Sequence, residues 1–470
     1  MYQVNIGGRT YAAREGELLG ELLMRYGIEA PHPCAGRGTC GKCRALVDGC
    51  EILTCQYRIE GDVTVVLSGR AGLDVEVFGN LDENQLGGLF FALDVGTTTL
   101  SLALVSADGR EICRVGAQNP QILFGADVIS RIDQCGRGGA ESLQAPLINR
   151  INEMICAALT AVGGENLQIG KMVAAGNATM LHLLLGIDCS GIGRAPYTPA
   201  FLEEKEVSAE SVGLSGCDRL RLLPSAHAFV GADVVAGLSL VDEPREGRYA
   251  LFVDLGTNAE IALVSRHGIL CTAAAAGPCF EGSNIACGMS ALSGAICSVD
   301  IDAGGVRFET VGGAAARGIC ATGLIDAIYG LLYSGIIDED GYMEADFSFA
   351  DGVYLSPEDV RNFQLAKSAV HSAMEALLAR AGVGFGEVDT LYISGGFAKR
   401  LSVRRAAVVG LIPRRLAGKC RVIEDSCLKG IIKEVCCGGE VGRIAASAEY
   451  CDLASDAVFG ERFIENIGFE

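Results

Sequence analysis

Apolar runs that stop at an aspartate organise this chain. From Phe91 the residues read FALDVGTTTLSLALVSADG, and from Leu251 they read LFVDLGTNAEIALVSRHG. In each, an apolar stretch reaches Asp, a Gly-Thr pair interrupts it, and a second apolar stretch returns to a Gly turn. That pattern predicts two strands joined as a hairpin. Asp94 falls on Asp254, Gly96 on Gly256 and Thr97 on Thr257, 160 residues apart. Around the hairpins, KMVAAGNATMLHLLLG (171–186) predicts a buried strand running into a helix, and RLRLLPSAHAFVGADVVAGLSL (219–240) a strand followed by a helix. GICATGLIDAIYGLLYSG (318–335) predicts a helix with small residues for close packing, and TLYISGGFAKRL (390–401) a strand ending at Gly395–Gly396. At the front, VNIGGRTYAAREG predicts a strand pair about Gly7–Gly8, ELLGELLMRYG an apolar-faced helix, and VTVVL a closing strand.

At 470 residues, half of them hydrophobic, the chain has the material for a large core and roughly two to four domains. No apolar run reaches the ~20 residues of a membrane-spanning helix. The opening MYQVNIGGRTYAAREGE lacks the basic head and apolar stretch of a secretory signal, so a cytoplasmic protein is expected. Net charge is −20, and basic spots such as Arg414–Arg415 are too small to track a phosphate backbone. Nucleic acid is thereby excluded as the expected partner, and a solvated acidic surface accounts for the charge.

Twenty cysteines in a cytosolic chain are not a disulfide framework, because that compartment keeps thiols reduced. Their number points to an anaerobic cell. Cys113, Cys156, Cys271 and Cys320 lie among apolar neighbours and are expected to be small buried hydrophobes. Residues 34–43, CAGRGTCGKC, differ. Five residues separate Cys34 from Cys40, two separate Cys40 from Cys43, and eleven separate Cys43 from Cys55 in the run ILTCQ. A tight trio with a distant fourth cysteine is the spacing of plant-type [2Fe–2S] proteins. Gly36, Gly38 and Gly41 let such a loop turn its backbone N–H groups toward the sulfides. Structural zinc is the alternative, though zinc sites favour paired Cys-x-x-Cys knuckles and only one such pair exists here. Cys50 competes for the fourth position; Cys55 is preferred because it follows a β-like run. Cys420, Cys427, Cys436 and Cys437 match no cluster spacing and are expected to be buried thiols.

The chemistry of the two hairpins follows from the Gly-Thr turn. Its backbone N–H groups can hold phosphate oxygens as an anion nest, and the hydroxyls of Thr97, Thr98 and Thr257 add donors. Asp94 and Asp254, facing one another across a cleft, would hold Mg²⁺ mostly through water. A single Asp-Gly-Thr turn is ordinary; two in register are not. Gly191–Gly193 and Gly304–Gly305 are expected to be plain turns, and His182 and His371 core or surface histidines rather than ligands.

The paired hairpins, together with the segments at 171–186, 219–240, 318–335 and 390–401, resemble the superfamily of actin, the heat-shock chaperone ATPases and the sugar kinases. The resemblance implies a duplicated actin-like, ribonuclease H-like ATPase with lobes at 89–240 and 241–470. The cysteine spacing and its flanking strands and helix add, ahead of a linker (71–88), an N-terminal β-grasp [2Fe–2S] ferredoxin domain (1–70), so an α/β chain is expected. The superfamily resemblance also implies that ATP lies on Gly96, Thr97, Thr98, Gly256, Thr257 and Asn258, with adenosine against Gly395 and Gly396. Asp233 stands where the chaperone ATPases place a carboxylate near the attacking water, so it is a candidate to orient that water, with Asp94 and Asp254 completing the catalytic set. As an alternative, Asp233 is simply a helix N-cap or first-turn acid.

GADVISRI (125–132), GNATMLHLLLGID (176–188), AFVGADVVAG (228–237), AAGPCFEGSNIACGM (275–289), RGICATGLIDAIYGLLYSGIID (317–338) and the tail DAVFGERFIENIGF resemble the reductive activators of corrinoid proteins. That family resemblance implies an ATP-dependent one-electron reductase that returns a Co(II) corrinoid protein of a methyltransferase system to Co(I). It implies cysteines 34, 40, 43 and 55 as cluster ligands, a low-potential ferredoxin or flavoprotein as electron donor, and a homodimer. Larger relatives carry an additional middle domain, for which no separate stretch is found. Other readings are a small-metabolite kinase with a redox-sensing cluster, a nucleotide-gated electron-carrier module, and an activator of another low-potential enzyme.

Overall fold

The computed structural model describes residues 2–6, 9–26, 28, 43–48, 50–67, 73–81, 88–125, 127–256, 258–282, 284–302 and 304–469. They form two compact units: Met1–Ala236 with Gly430–Gly442, and Gly237–Lys429 with Arg443–Glu470.

The first unit opens with a five-stranded sheet in the order Arg9–Ala13, Tyr2–Ile6, Val63–Leu67, Arg44–Val47, Cys50–Leu53. Tyr2–Ile6 and Val63–Leu67 run parallel and the other neighbours antiparallel, an arrangement of the β-grasp type. One face is apolar, and the helix Leu19–Arg25 closes it. Leu19, Leu22 and Leu23 are buried in a small core with Val4, Ile6, Ala13, Ala45, Val47, Ile59 and Val65. Asp74–Val77, inside the stretch read as a linker, is the edge strand of the next sheet, antiparallel to Cys113–Gly116. Its four residues are all exposed, so no buried-face alternation marks it in the sequence.

That next sheet has seven strands, in the order Lys205–Ser208, Cys217–Leu222, Ile169–Gly176, Phe90–Val95, Thr99–Val105, Glu111–Gln118, Asp74–Val77. In the second unit, a six-stranded sheet runs Cys420–Val422, Val388–Ser394, Tyr249–Leu255, Ala259–Ser265, Gly268–Ala274, Ala448–Tyr450. The two sheets share one plan. A three-strand antiparallel meander begins at the Asp-bearing strand, and two parallel strands continue on that strand's other side. The repeat extends to burial: Phe90–Val95 and Tyr249–Leu255 are buried along their apolar runs, while Asp94 and Asp254 are half-buried at the penultimate position.

The helices at 178–184, 232–238 and 321–333 lie inside the stretches expected to be helical. The small residues of Ala321–Tyr333 do what their size allows: a Cβ on Gly323 would fall 2.1 Å from the Ile296 carbonyl oxygen, so the helix lies directly on the strand Ala295–Asp302. Pro357–Arg380 starts at a capping box of Ser356 and Asp359 and crosses the second core.

His182 is a core histidine, fully buried, with Nδ1 donating to the Ala178 carbonyl and Nε2 accepting from Ala200 N–H; burial holds its pKa below the usual value. His371 is buried as well. Cys113, Cys271, Cys320 and Cys427 are buried. Cys156 is not: on the helix Ala140–Ala161 it falls between the buried positions of the apolar stripe and faces solvent. Cys436 and Cys437 are likewise exposed, contrary to the expected burial, in the last turn of the helix Ser426–Cys437. No helix among the described residues is long and apolar enough to cross a membrane.

Candidate functional site

The first turn, Gly96–Thr98, joins Phe90–Val95 to Thr99–Val105, and it is bound from behind. Asn119 donates its Nδ2 to the Gly96 carbonyl at 2.8 Å and its backbone N–H to the Thr98 carbonyl at 2.9 Å. Arg131 donates to the Thr97 carbonyl at 2.6 Å, and braces itself on the Gly125 carbonyl at 3.0 Å. Asn119 and Arg131 are both completely buried. A trans peptide points its C=O and N–H in opposite directions. Holding the Gly96 and Thr97 carbonyls inward therefore turns the N–H groups of Thr97 and Thr98 outward. Asn119 and Arg131 thus fix the direction of both peptides of the turn, with the Arg131 guanidinium on their inner side. Gly96 is required at this turn, since a Cβ there would lie 2.4 Å from the Thr99 carbonyl oxygen.

Asp233 belongs to the same neighbourhood. Gly231 packs so tightly that a Cβ would meet both Asn177 Cα and Asp233 Oδ1 at 2.4 Å. Asn177 in turn donates Nδ2 to Thr97 Oγ1 at 3.0 Å. The first unit thus brings Gly96, Thr97 and Asp233 around Asn177. Asp233 accepts from Val234 N–H at 2.9 Å. Burial pushes its pKa up to about 6, against the lowering effect of that hydrogen bond. It lies in the first turn of the helix Ala232–Leu238, as one of the two readings of it expected.

In the second unit the equivalent turn, 256–258, joins Tyr249–Leu255 to Ala259–Ser265, with Gly256 N–H bonded to the Asn258 carbonyl at 3.0 Å. Thr257 lies outside the described residues. Val388–Ser394 runs parallel to the Asp-bearing strand, with Ser394 opposite Asp254, and delivers Gly395 to the turn. Gly395 has φ 114°, and a Cβ on it would fall 2.1 Å from the Leu255 carbonyl oxygen, so Asp254, Gly256 and Gly395 are neighbours. Gly396 has open space where its side chain would be.

Of the four cluster cysteines, Cys34 and Cys40 lie outside the described residues. Cys43 and Cys55 converge: both are buried, with Sγ atoms 3.1 Å apart. Two thiolates on one tetrahedral metal, each at about 2.3 Å, sit about 3.8 Å apart, so a small adjustment lets this pair share an iron. The two described donors are therefore compatible with a thiolate-ligated iron. Gln56 adds an amide N–H within 3.9 Å of Cys55 Sγ. Cys50, the competitor, is exposed. Among the described residues no group of three potential ligands forms a complete metal site.

Sequence reasoning missed Asn119, Arg131 and Asn177. A signal was available only for Asn177, a polar residue inside the largely apolar run MVAAGNATML; Asn119 stands among other amides and Arg131 among polar neighbours.

Comparison with known proteins extends over the whole length. A family model described as the RACo middle region matches residues 89–242, and one described as the C-terminal domain of RACo, the ASKHA domain, matches residues 248–470. The middle region for which no separate stretch was found is thus present, in the residues read as the first lobe. A corrinoid activation enzyme of Eubacterium limosum is 27% identical over 459 residues, covering 88% of this chain and 75% of that protein. A Co(II) methylated amine-specific corrinoid protein reductase of Methanosarcina barkeri is 24% identical over 358 residues, covering 68% of this chain and 65% of that protein. A solved reductive activator for a corrinoid, iron-sulfur protein superposes with a TM-score of 0.72 at 27% identity, covering 100% of this chain and 98% of that one.

Proposed function

The chain belongs to the RACo family, and from that premise we propose that it is an ATP-dependent reductive activator that returns a Co(II) corrinoid protein of a methyltransferase system to Co(I). The observation that carries this reading is the end-to-end match to a solved reductive activator.

The reduction is uphill, and each ~59 mV of unfavourable one-electron gap costs a factor of ten in equilibrium. Protein binding energy must therefore favour the reduced partner, and ATP supplies it by shifting the population of protein conformations. In the proposed site the turn at Gly96, Thr97 and Thr98 and its counterpart at Gly256, Thr257 and Asn258 grip the phosphates, and Gly395 and Gly396 take the adenosine against bare backbone. Asp94 and Asp254 hold Mg²⁺ through water, and Asp233, ionised, orients the attacking water. Support comes from the inward-held carbonyls of the first turn and from the contact between Gly395 and the second hairpin.

A [2Fe–2S] cluster on Cys34, Cys40, Cys43 and Cys55 would supply one-electron transfer between a low-potential ferredoxin or flavoprotein and the cobalt. The buried, converging Cys43 and Cys55 support this ligand set, and the exposure of Cys50 favours Cys55 over it. Assembly as a homodimer and a cytoplasmic location belong to the same proposal. The test is anaerobic: reconstituted protein, a corrinoid protein and a reductant are mixed, and the cobalt spectrum is followed with and without ATP. Co(I) should accumulate only with ATP; equal accumulation without it would overturn the reading.

A further inference from the structure

One hydrogen bond at the first turn has a fixed polarity, and it assigns a direction to the Thr97 hydroxyl. Asn177 follows the strand Ile169–Gly176 and caps the helix Ala178–Leu184, its Oδ1 accepting from Met180 N–H at 3.0 Å. A peptide N–H can only donate, so the atom facing Met180 is the amide oxygen, and the atom 3.0 Å from Thr97 Oγ1 is the nitrogen. An amide NH₂ can only donate, so Thr97 Oγ1 is the acceptor. Its own proton must point away from Asn177.

The backbones that carry both partners are closely held. Thr97 is held through its carbonyl by Arg131, and Asn177 is confined by Gly231, where a Cβ would meet Asn177 Cα at 2.4 Å. Behind it, a Cβ on Gly176 would meet the Val95 carbonyl oxygen at 2.6 Å.

We propose that Asn177 is a positioning residue that makes Thr97 a hydrogen-bond donor to the nucleotide phosphates. The relay runs from Met180 N–H through the Asn177 amide to Thr97, every donor aimed the same way. It rests on the reading of Gly96–Thr98 as a phosphate turn. Phosphate oxygens accept hydrogen bonds, so a turn whose hydroxyl is oriented before binding spends no reorganisation on the nucleotide.

The test uses full-length protein, with MgATP affinity measured by calorimetry and melting measured without nucleotide. Asn177→Asp keeps a helix cap of equal quality, but its carboxylate only accepts, so it captures the Thr97 proton and turns the hydroxyl inward. ATP binding should weaken about tenfold to a hundredfold, the range for a hydrogen bond to a charged group, with little change in melting. Because the carboxylate also repels phosphate directly, the change is repeated in a Thr97→Val background, where its effect should be smaller. Should Asn177→Asp fold poorly, Asn177→Ser also caps the helix but is too short to reach Thr97. It too should weaken ATP binding, and less so in the Thr97→Val background. Unchanged affinity in the Asn177 variants, or strictly additive effects of positions 97 and 177, would overturn the proposal. A wild-type chain that binds no MgATP would sink the phosphate-turn reading itself, and the proposal with it.

Discussion

At the scale of single residues, the placement of Asp233 makes two predictions of opposite sign. Its carboxyl holds its proton up to about pH 6 because burial disfavours the charge. The water-orienting role needs the carboxylate. ATP turnover should therefore fall as pH drops through about 6, and Asp233→Asn should remove that acid limb and lower turnover about a hundredfold or more. Stability runs the other way. The folded protein binds the Asp233 proton more tightly than the unfolded chain, so ionisation costs stability as pH rises from the ordinary carboxyl range through about 6. Asp233→Asn, which has no charge to bury, should melt above wild type at about pH 8. Full turnover in the variant would reduce Asp233 to a first-turn acid. The cysteines give a second contrast. Cys55→Ser should lose most of the bound iron and its visible absorption after reconstitution, whereas Cys50→Ser, altering an exposed thiol, should keep both.

At the scale of elements, two adjacent glycines carry different burdens. An alanine at 395 would press its methyl into the Leu255 carbonyl from a backbone conformation that side chains rarely adopt. Gly395→Ala should cost roughly 2–4 kcal/mol of stability. Gly396→Ala meets nothing in the protein, so it should leave melting unchanged and weaken ATP alone, by crowding the adenosine. A denaturation curve and an ATP titration on both variants check this; a Gly396→Ala chain with wild-type ATP affinity would move the adenosine elsewhere. The strands bearing these turns were legible in the sequence because a buried strand that ends at a half-buried carboxylate leaves an apolar run with one polar break. The edge strand Asp74–Val77 was not, since its residues face solvent on both sides. The bracket of Asn119, Arg131 and Asn177 was hidden for a different reason. Each acts by hydrogen bonding to backbone or a hydroxyl far along the chain, and such partners leave no periodic trace.

At the scale of the whole molecule, duplication made the architecture readable. The two meanders descend from the same pattern of apolar run, Asp, Gly-Thr and apolar return, and the two sheets repeat one strand order from it. Less readable was how the chain is shared out. Residues Gly430–Gly442 belong with the first unit, although they follow nearly two hundred residues of the second. Glu434 shows why. It is buried and pairs with Arg221, which ties this late segment to the earlier residues, while it also accepts the N–H groups of Gly439, Glu440 and Val441 and so fixes the segment's own turn. Gly430 reinforces the attachment, for a Cβ there would lie 2.1 Å from the Ala236 carbonyl oxygen.

That late segment limits how the molecule can be dissected. A cut placed between the two family regions, after residue 242, would part Arg221 from Glu434 and leave that guanidinium with Glu204. The carboxy-terminal fragment would keep the helix Ser426–Cys437 tied at its start, where Ser426 meets Ser394, but would leave the buried Glu434 carboxylate without Arg221. Studying the first unit alone would therefore require joining the 430–442 stretch to the front piece through a tether.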